Sequence, residues 1–330
     1  MTQEKIDIVV LWVDGSDLEF IREKQMVARK DGGSDSYIDS DMRYRDYGTF
    51  NNWFRMIETH APWVNKIFLI TNGQKPEWLN LAHPKLRWVT HKEFMPQEYL
   101  PTFNSAAIEL NLHRIEVLSE NYLYFNDDMY MIRDCKPSDF YKNGLPKLLA
   151  VYDAIVPWAS ITKTYLNNIE LIYRHFPNKA AMKASPWKFF NYRYGLRLFK
   201  NLVLLPWGPT GYVNPHLPVP MKKSTLAHLW DIEFDTLDKT SRNQLRDYKV
   251  DVNQYICQNW QIESNQFYPI AYNIGKSIDL NRLDQLDRIF KDKHKKLLCV
   301  NDNVDFKEEN LLRFKKFLDE RYPEKSAFEL

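Results

Sequence analysis

Apolar and polar positions follow two different periods along this chain, and the first hundred and thirty residues alternate between them. Residues 6–13 (IDIVVLWV) are an apolar, β-branched run closed by Asp14-Gly15-Ser16-Asp17, the pattern of a buried strand entering a turn. A polar, glycine-containing loop follows at 30–41 (KDGGSDSYIDSD). Phe50, Trp53, Phe54 and Ile57 then fall at i, i+3, i+4 and i+7, one face of an amphipathic helix that ends at Pro62. Residues 66–71 (KIFLIT) form a second buried strand, stopped by the Asn72-Gly73 turn. A third unit repeats the pattern. Asn104 or Ser105 can cap a helix with Ile108, Leu112 and Ile115 as its buried stripe. The strand 122–125 (YLYF) follows and ends in Asn126-Asp127-Asp128.

Strands alternating with helices predict an α/β fold with a largely parallel sheet. Such sheets bind ligands outside the carboxyl ends of their strands. Three strand ends here carry Asp14/Asp17, Asn72 and Asp127/Asp128. Beyond residue 136 the pattern is weaker. Residues 187–207 interleave aromatics with Lys188, Arg193, Arg197 and Lys200, and 206–220 is a Pro- and Gly-rich loop. Two helical patterns, around 283–289 and 311–318, flank a short final strand at 297–300.

Composition narrows the class. A chain of 330 residues can bury a sizeable core, and its 44% hydrophobic and 27% charged residues are ordinary for a globular protein. A net charge of +2 argues against a dedicated nucleic-acid binder. Cys135, Cys257 and Cys299 make neither a zinc spacing nor a disulfide framework, which fits a reducing cytosol. No stretch resembles a signal peptide or reaches the ~20 apolar residues of a membrane span, so the expectation is a cytoplasmic protein, at most peripheral to the inner face of the membrane.

Four constellations could carry chemistry. The Asp127-Asp128 pair at a strand end suits Mg²⁺ or Mn²⁺, hard cations bound jointly with phosphates, against the plainer reading of a polar strand-to-loop turn. Glu109, His113 and Glu116, at i, i+4 and i+7, could form one polar wall facing a ligand, or a solvated helix face. His216 sits between prolines that would fix its angle as a general base, although a loop histidine is usually incidental. Arg246, with Asp251 nearby, offers a fork that matches phosphate oxygens, against the plain reading of surface charge. There is no Walker loop, GxGxxG, GxSxG or HExxH.

Taken in order, these segments resemble the Stealth family of capsular and cell-wall polysaccharide phosphotransferases, which includes the animal N-acetylglucosamine-phosphotransferase that tags lysosomal enzymes. Its first region resembles 6–17 (IDIVVLWVDGSD). Its second resembles 43–129, through RYRDYG, NGQKPEWLN, LPTFNSAAIE and NDDM. The third resembles 211–220 (GYVNPHLPVP), and the fourth 246–251 with 297–304 (LLCVNDNV). The resemblance implies a Rossmann-like sheet of the nucleotide-sugar transferase type, with a helical insertion and C-terminal helices. The whole chain 1–330 would be one catalytic domain, with 136–206 an insertion facing acceptor or membrane and 280–330 the helical end.

It also implies roles. His216, Arg246, Asp128 and Glu109 match catalytic positions, and Asp127 with Asp128 a metal site for Mg²⁺ or Mn²⁺. Asp14, Gly15, Asp17, Arg45, Asp46, Asn72, Asn104, Arg114 and Asp251 become candidate substrate contacts. The animal branch carries a second histidine in the third region that this chain lacks, which weighs against a two-histidine mechanism. The implied reaction moves a hexose-1-phosphate or N-acetylhexosamine-1-phosphate from a UDP-sugar to a glycan hydroxyl, releasing UMP. The implied acceptor is a lipid-linked glycan. Two alternatives remain at this level: a glycosyltransferase that releases UDP, and a non-catalytic glycan-binding module. The aromatic and basic mixture at 187–207 suits a water–lipid boundary as well as it suits packing on the core.

Overall fold

A computed structural model describes residues 5–30, 44–156, 159, 161–302 and 307–330. The loop expected at 30–41 lies, beyond Lys30, outside them. The protein is α/β, with a five-stranded central sheet in the order β3-β2-β1-β4-β8. Its strands are β1 (Ile6–Leu11), β2 (Ile67–Thr71), β3 (Leu86–Thr90), β4 (Asn121–Asn126) and β8 (Val219–Lys222). The first four are parallel, with Val10 opposite both Leu69 and Phe125, and β8 runs antiparallel at one edge.

Helices cover both faces, which is why β1 and β2 read as continuous apolar runs. Ile6, Ile8 and Val10 point into one core, with Trp53, Phe54 and Ile57 of the helix Phe50–His60. Val9, Phe68, Ile70, Tyr122 and Tyr124 point into the other, with Ala107 and Leu110 of the helix Ser105–Asn111. The polar interruption in β1 has a structural cause. Asp7 is fully buried, and its carboxylate accepts from Asn65 Nδ2 (2.7 Å), the Lys66 amide (3.1 Å) and the Ser119 amide (2.7 Å). It ties the connections into β2 and β4 at the end of the sheet opposite the site.

Two smaller sheets complete the fold. One joins β10 (Gly275–Asp279), β11 (Leu297–Asn301) and β5 (Met129–Met131); the other joins β6 (Tyr141–Lys142), β7 (Leu145–Leu148) and β9 (Tyr268–Pro269). The expected final strand thus exists as β11, but it lies outside the central sheet, paired parallel to β10 and antiparallel to β5. The C-terminal helix Glu308–Arg321 is present, and the chain end returns to the helix Phe50–His60. There Arg55 grips Glu329 through two hydrogen bonds of 2.8 and 2.7 Å.

The segment 187–207 is divided between core and surface. Phe189 and Tyr194 are fully buried, and Lys188 is buried with its Nζ donating to the Asn265 carbonyl at 2.8 Å, so it is no surface cation. Trp187, Tyr192, Leu196, Phe199 and Trp207 are exposed. Among the described residues no helix is long and apolar enough to cross a membrane.

Candidate active site

The carboxyl ends of β1, β2 and β4 open into a cleft with about 320 Å³ of free space. β1 and β4 are neighbours in the sheet, and the strand order continues from β1 to β2 on one side and from β4 to β8 on the other, the kind of point at which open α/β sheets bind ligands. Arg45, Asn72, Asn104, Glu109, Asp127, Asp128, His216, Arg246 and Asp251 all line it.

Asp127 and Asp128 occupy the tight connection from β4 to β5, between two buried strands. Burial raises the pKa of Asp127 well above the usual carboxylate range, and the neighbouring Asp128 raises it further. Burial raises Asp128 as well, offset in part by His216. Asp128 Oδ1 is buried without a hydrogen-bond partner. Two adjacent carboxylates in this state are costly as bare anions, a cost that either a proton or a cation relieves.

His216 holds a left-handed backbone (φ 49°) between Pro215 and Leu217, with its amide donating to Asn214 Oδ1 at 2.9 Å. The ring stands between two groups: Nδ1 is 3.2 Å from the Tyr255 hydroxyl and Nε2 is 3.9 Å from Asp128 Oδ2. Cys299 reaches the same carboxylate, its Sγ 3.4 Å from Asp128 Oδ2, so donor atoms of Asp128, His216 and Cys299 cluster within 4.8 Å. Burial and the charge of Asp128 push the Cys299 thiol up, so it stays a neutral S–H donor, and the oxygens dominate this corner.

Glu109 also lines the cleft. Asn104 caps its helix, accepting from the Ala106 amide at 3.1 Å. Glu109 Oε1 and Asn126 Oδ1 are each 2.8 Å from the Tyr124 hydroxyl, and Oε2 lies 3.4 Å from the Gln254 amide. Burial raises Glu109 to about 7 against these hydrogen bonds, a value suited to proton exchange near neutrality.

The polar wall of Glu109, His113 and Glu116 does not form. The α-helix stops at Asn111, and Leu112–Arg114 is a 3₁₀ turn that changes the angular spacing. His113 turns against the Trp230 ring (5.8 Å), where burial lowers it to about 4, and Glu116 is exposed.

Arg246 lies over the Tyr44 ring (5.3 Å), 3.2 Å from the Tyr44 hydroxyl and from Ser105 Oγ. Asp251 fixes the loop that carries it. Its carboxylate accepts from Asn104 Nδ2 (2.9 Å), Asn243 Nδ2 (2.7 Å) and the Asp247 amide (2.8 Å). Arg45 pairs with Asp302, a residue that the sequence reading left out although it stands in the LLCVNDNV segment.

The remaining candidates shape the rim. Asn72 closes its turn by accepting from the Gln74 amide (3.2 Å), and Gln74 binds both backbone groups of Asp14 at 3.0 Å. Asp14 accepts from Ser16, and Asp17 accepts from the Phe20 amide at 2.8 Å at the start of the helix Leu18–Lys30. Gly15 donates to the Tyr44 carbonyl at 2.8 Å; a Cβ there would sit 2.3 Å from that oxygen. Asp46 accepts from the Gly48 amide at 2.9 Å. Asp14, Gly15, Asp17 and Asp46 therefore stand beside the lining residues, not among them. Arg114 is absent from the lining too, stacked on Trp230 at 4.7 Å and donating to Asn111 at 2.8 Å.

The arrangement also brings in residues that no local pattern announced. Tyr255, Tyr124 and Gln254 meet the predicted groups only through folding. Tyr255 opens a helix whose residues are buried nearly all round, so its sequence carries no sign of a site-facing side.

Residues 4–32 match Stealth protein CR1, conserved region 1, and residues 43–148 match Stealth protein CR2, conserved region 2. A capsular polysaccharide phosphotransferase of Streptococcus pneumoniae, WcwK, is 38% identical over 98% of this chain and 98% of its own length. The chain belongs to the Stealth family. Another capsular polysaccharide phosphotransferase, CpsJ of Streptococcus thermophilus, is 61% identical over 70% of this chain and 95% of its own. An exopolysaccharide phosphotransferase of Lactiplantibacillus plantarum is 36% identical over 98% and 96%. With Stealth relatives of this kind along its whole length, the chain is a transferase. The 38% match spans the segments 211–220 and 246–251 as well as the two named regions, so all parts of the cleft lie inside it.

Proposed function

We propose that this Stealth protein is a polysaccharide phosphotransferase that moves a sugar-1-phosphate from a UDP-sugar to a hydroxyl of a glycan acceptor, with release of UMP. The observation that carries it is His216, held between Tyr255 and Asp128 at the strand end where Asp127 and Asp128 meet, in the cleft that Arg246 also lines.

The residues fit a hard divalent cation. Asp128 Oδ1 is buried and unpartnered, and Asp127 beside it is disfavoured as a bare anion by burial and like charge. Both would hold Mg²⁺ or Mn²⁺, which when bound would neutralise charge on a diphosphate.

The chain's own groups do the rest. The His216 ring takes the proton of the acceptor hydroxyl, and Tyr255 and Asp128 fix its orientation. The hydroxyl oxygen attacks the phosphorus bonded to the sugar, a new P–O bond forms, and the bond to the UMP oxygen breaks. Arg246 offers a fork of donors to the phosphoryl oxygens as charge redistributes. Glu109, near 7, is protonated or ionised close to neutrality and can exchange a proton with the leaving side. Asp251 acts through Arg246, as the clamp of its loop.

The nucleotide product tests this. Incubation with UDP-sugar and an acceptor oligosaccharide should give UMP and an acid-labile phosphodiester. Release of UDP would mean attack at the anomeric carbon and a glycosyltransferase. Glycan binding with no nucleotide consumed would mean a binding module.

A further inference from the structure

Between Glu170 and Asp231 the chain contains no acidic residue, while Arg174, Lys179, Lys183, Lys188, Arg193, Arg197, Lys200, Lys222 and Lys223 are basic. With 43 acids in 330 residues, about eight would be expected in such a stretch. Within it, the helix Leu198–Val203 is built inside out. Its one uncharged polar residue, Asn201, faces inward, fully buried, with Nδ2 donating to the Ala150 and Phe189 carbonyls (2.8 and 2.7 Å) and Oδ1 accepting from the Tyr152 amide (2.7 Å). Phe199, Leu202 and Val203, at i, i+3 and i+4, are turned out to solvent. Leu196 on one side is 82% exposed and Trp207 on the other 59%. A soluble surface does not ordinarily collect large apolar side chains in this density.

The segment is also firmly placed. Asn201 anchors it from within, Lys200 pairs with Asp153 at 2.7 Å, and the Arg197 guanidinium stacks on Tyr272 at 3.2 Å. The apolar face is therefore displayed by a rigid scaffold.

We infer that this face docks on an anionic lipid surface, with Leu196, Phe199, Leu202, Val203 and Trp207 entering the headgroup–acyl boundary. Exposed Lys183 and Arg193 would meet the lipid phosphates. The charge balance selects the occupant. A second copy of this chain would set the exposed Lys183 and Arg193 against their own like, whereas an anionic bilayer offers an apolar layer beneath a negative surface. The position also suits the cleft. His216 follows Trp207 by nine residues, so the two lie within about 30 Å of each other even if that chain were fully extended. A glycan carried on a membrane anchor would thereby be presented to the base. The docking itself does not depend on the catalytic reading; only its purpose rests on it.

Vesicle sedimentation of the full chain tests the proposal independently of turnover. Wild type should pellet with phosphatidylglycerol-containing vesicles at low salt and remain in the supernatant with pure phosphatidylcholine. The variant Phe199→Ser/Leu202→Ser/Val203→Ser should lose at least about tenfold in vesicle affinity while keeping its circular dichroism and its activity on a soluble acceptor. Lys183→Gln/Arg193→Gln should weaken binding to anionic vesicles more than the salt-insensitive remainder. Wild type left in the supernatant with both vesicle types would overturn the inference. So would a dimer in light scattering that the triple-serine variant dissociates, since the face would then serve a second copy.

Discussion

His216 Nε2 stands 3.9 Å from Asp128 Oδ2, joining a left-handed loop residue to the end of a central strand ninety positions earlier. That distance is too long for a direct hydrogen bond and short enough for a shared ligand or proton. It places the candidate base next to the candidate metal corner.

Chelator should abolish turnover, and Mg²⁺ or Mn²⁺ should restore it. Asp128→Asn should cost at least about two decades of rate, roughly 3 kcal/mol. Full activity in chelator would remove the metal from the mechanism.

The base is separable from binding. His216→Ala should lower kcat by roughly 10²–10⁴ with donor affinity nearly unchanged. Tyr255→Phe, which removes only the group 3.2 Å from Nδ1, should cost far less and shift the pH profile. A His216→Ala enzyme turning over at the wild-type rate would leave the loop a purely structural one.

Arg246→Lys keeps the charge and loses the fork. If the guanidinium meets phosphoryl oxygens in the transition state, kcat should fall about 10–100-fold while donor Kd changes little. An equal loss in both would instead mark ground-state binding.

Glu109 predicts a pH dependence of stability. Its folded pKa is raised, from 4.5 to about 7, so the folded state prefers the protonated carboxyl. Its contribution to stability is whole below the unfolded value and is lost as pH rises through about 7. Glu109→Gln should therefore raise Tm at pH 8, by up to roughly 3 kcal/mol in stability, with the gain vanishing toward pH 4. A gain of the same size at both pH values would exclude desolvation of the carboxylate as its cause.

Gly15→Ala tests the rim. Its new methyl would fall 2.3 Å from the Tyr44 carbonyl oxygen, so the Tyr44 backbone beneath Arg246 must move. Such overpacking should cost about 1–3 kcal/mol and reduce activity with it. Unchanged thermal stability would show that this contact yields without cost.

What could be read from the sequence alone follows from locality. The runs that became β1, β2 and β4 are buried on both faces, so their composition announces them without reference to any partner. Asp127, Asp128 and Asn72 are visible because strand ends are marked by turn residues. The resemblance to Stealth was legible as strings and made His216 and Arg246 candidates; that both line one cleft is visible only in the fold. Other features depend on contacts far apart in the chain. β3 (LRWVT) has only a mixed burial pattern and was not anticipated, and β11 was anticipated without its sheet, because strand pairing is a property of two segments. The wall of Glu109, His113 and Glu116 failed because a 3.6-residue period was extended across a helix that stops at Asn111. Within 187–207, aromatics and cations carry the same sequence signal, yet folding buries Lys188 and exposes Phe199. Tertiary structure made that choice: Asn201 found three backbone partners inside, and satisfying them turned the apolar side of its helix outward.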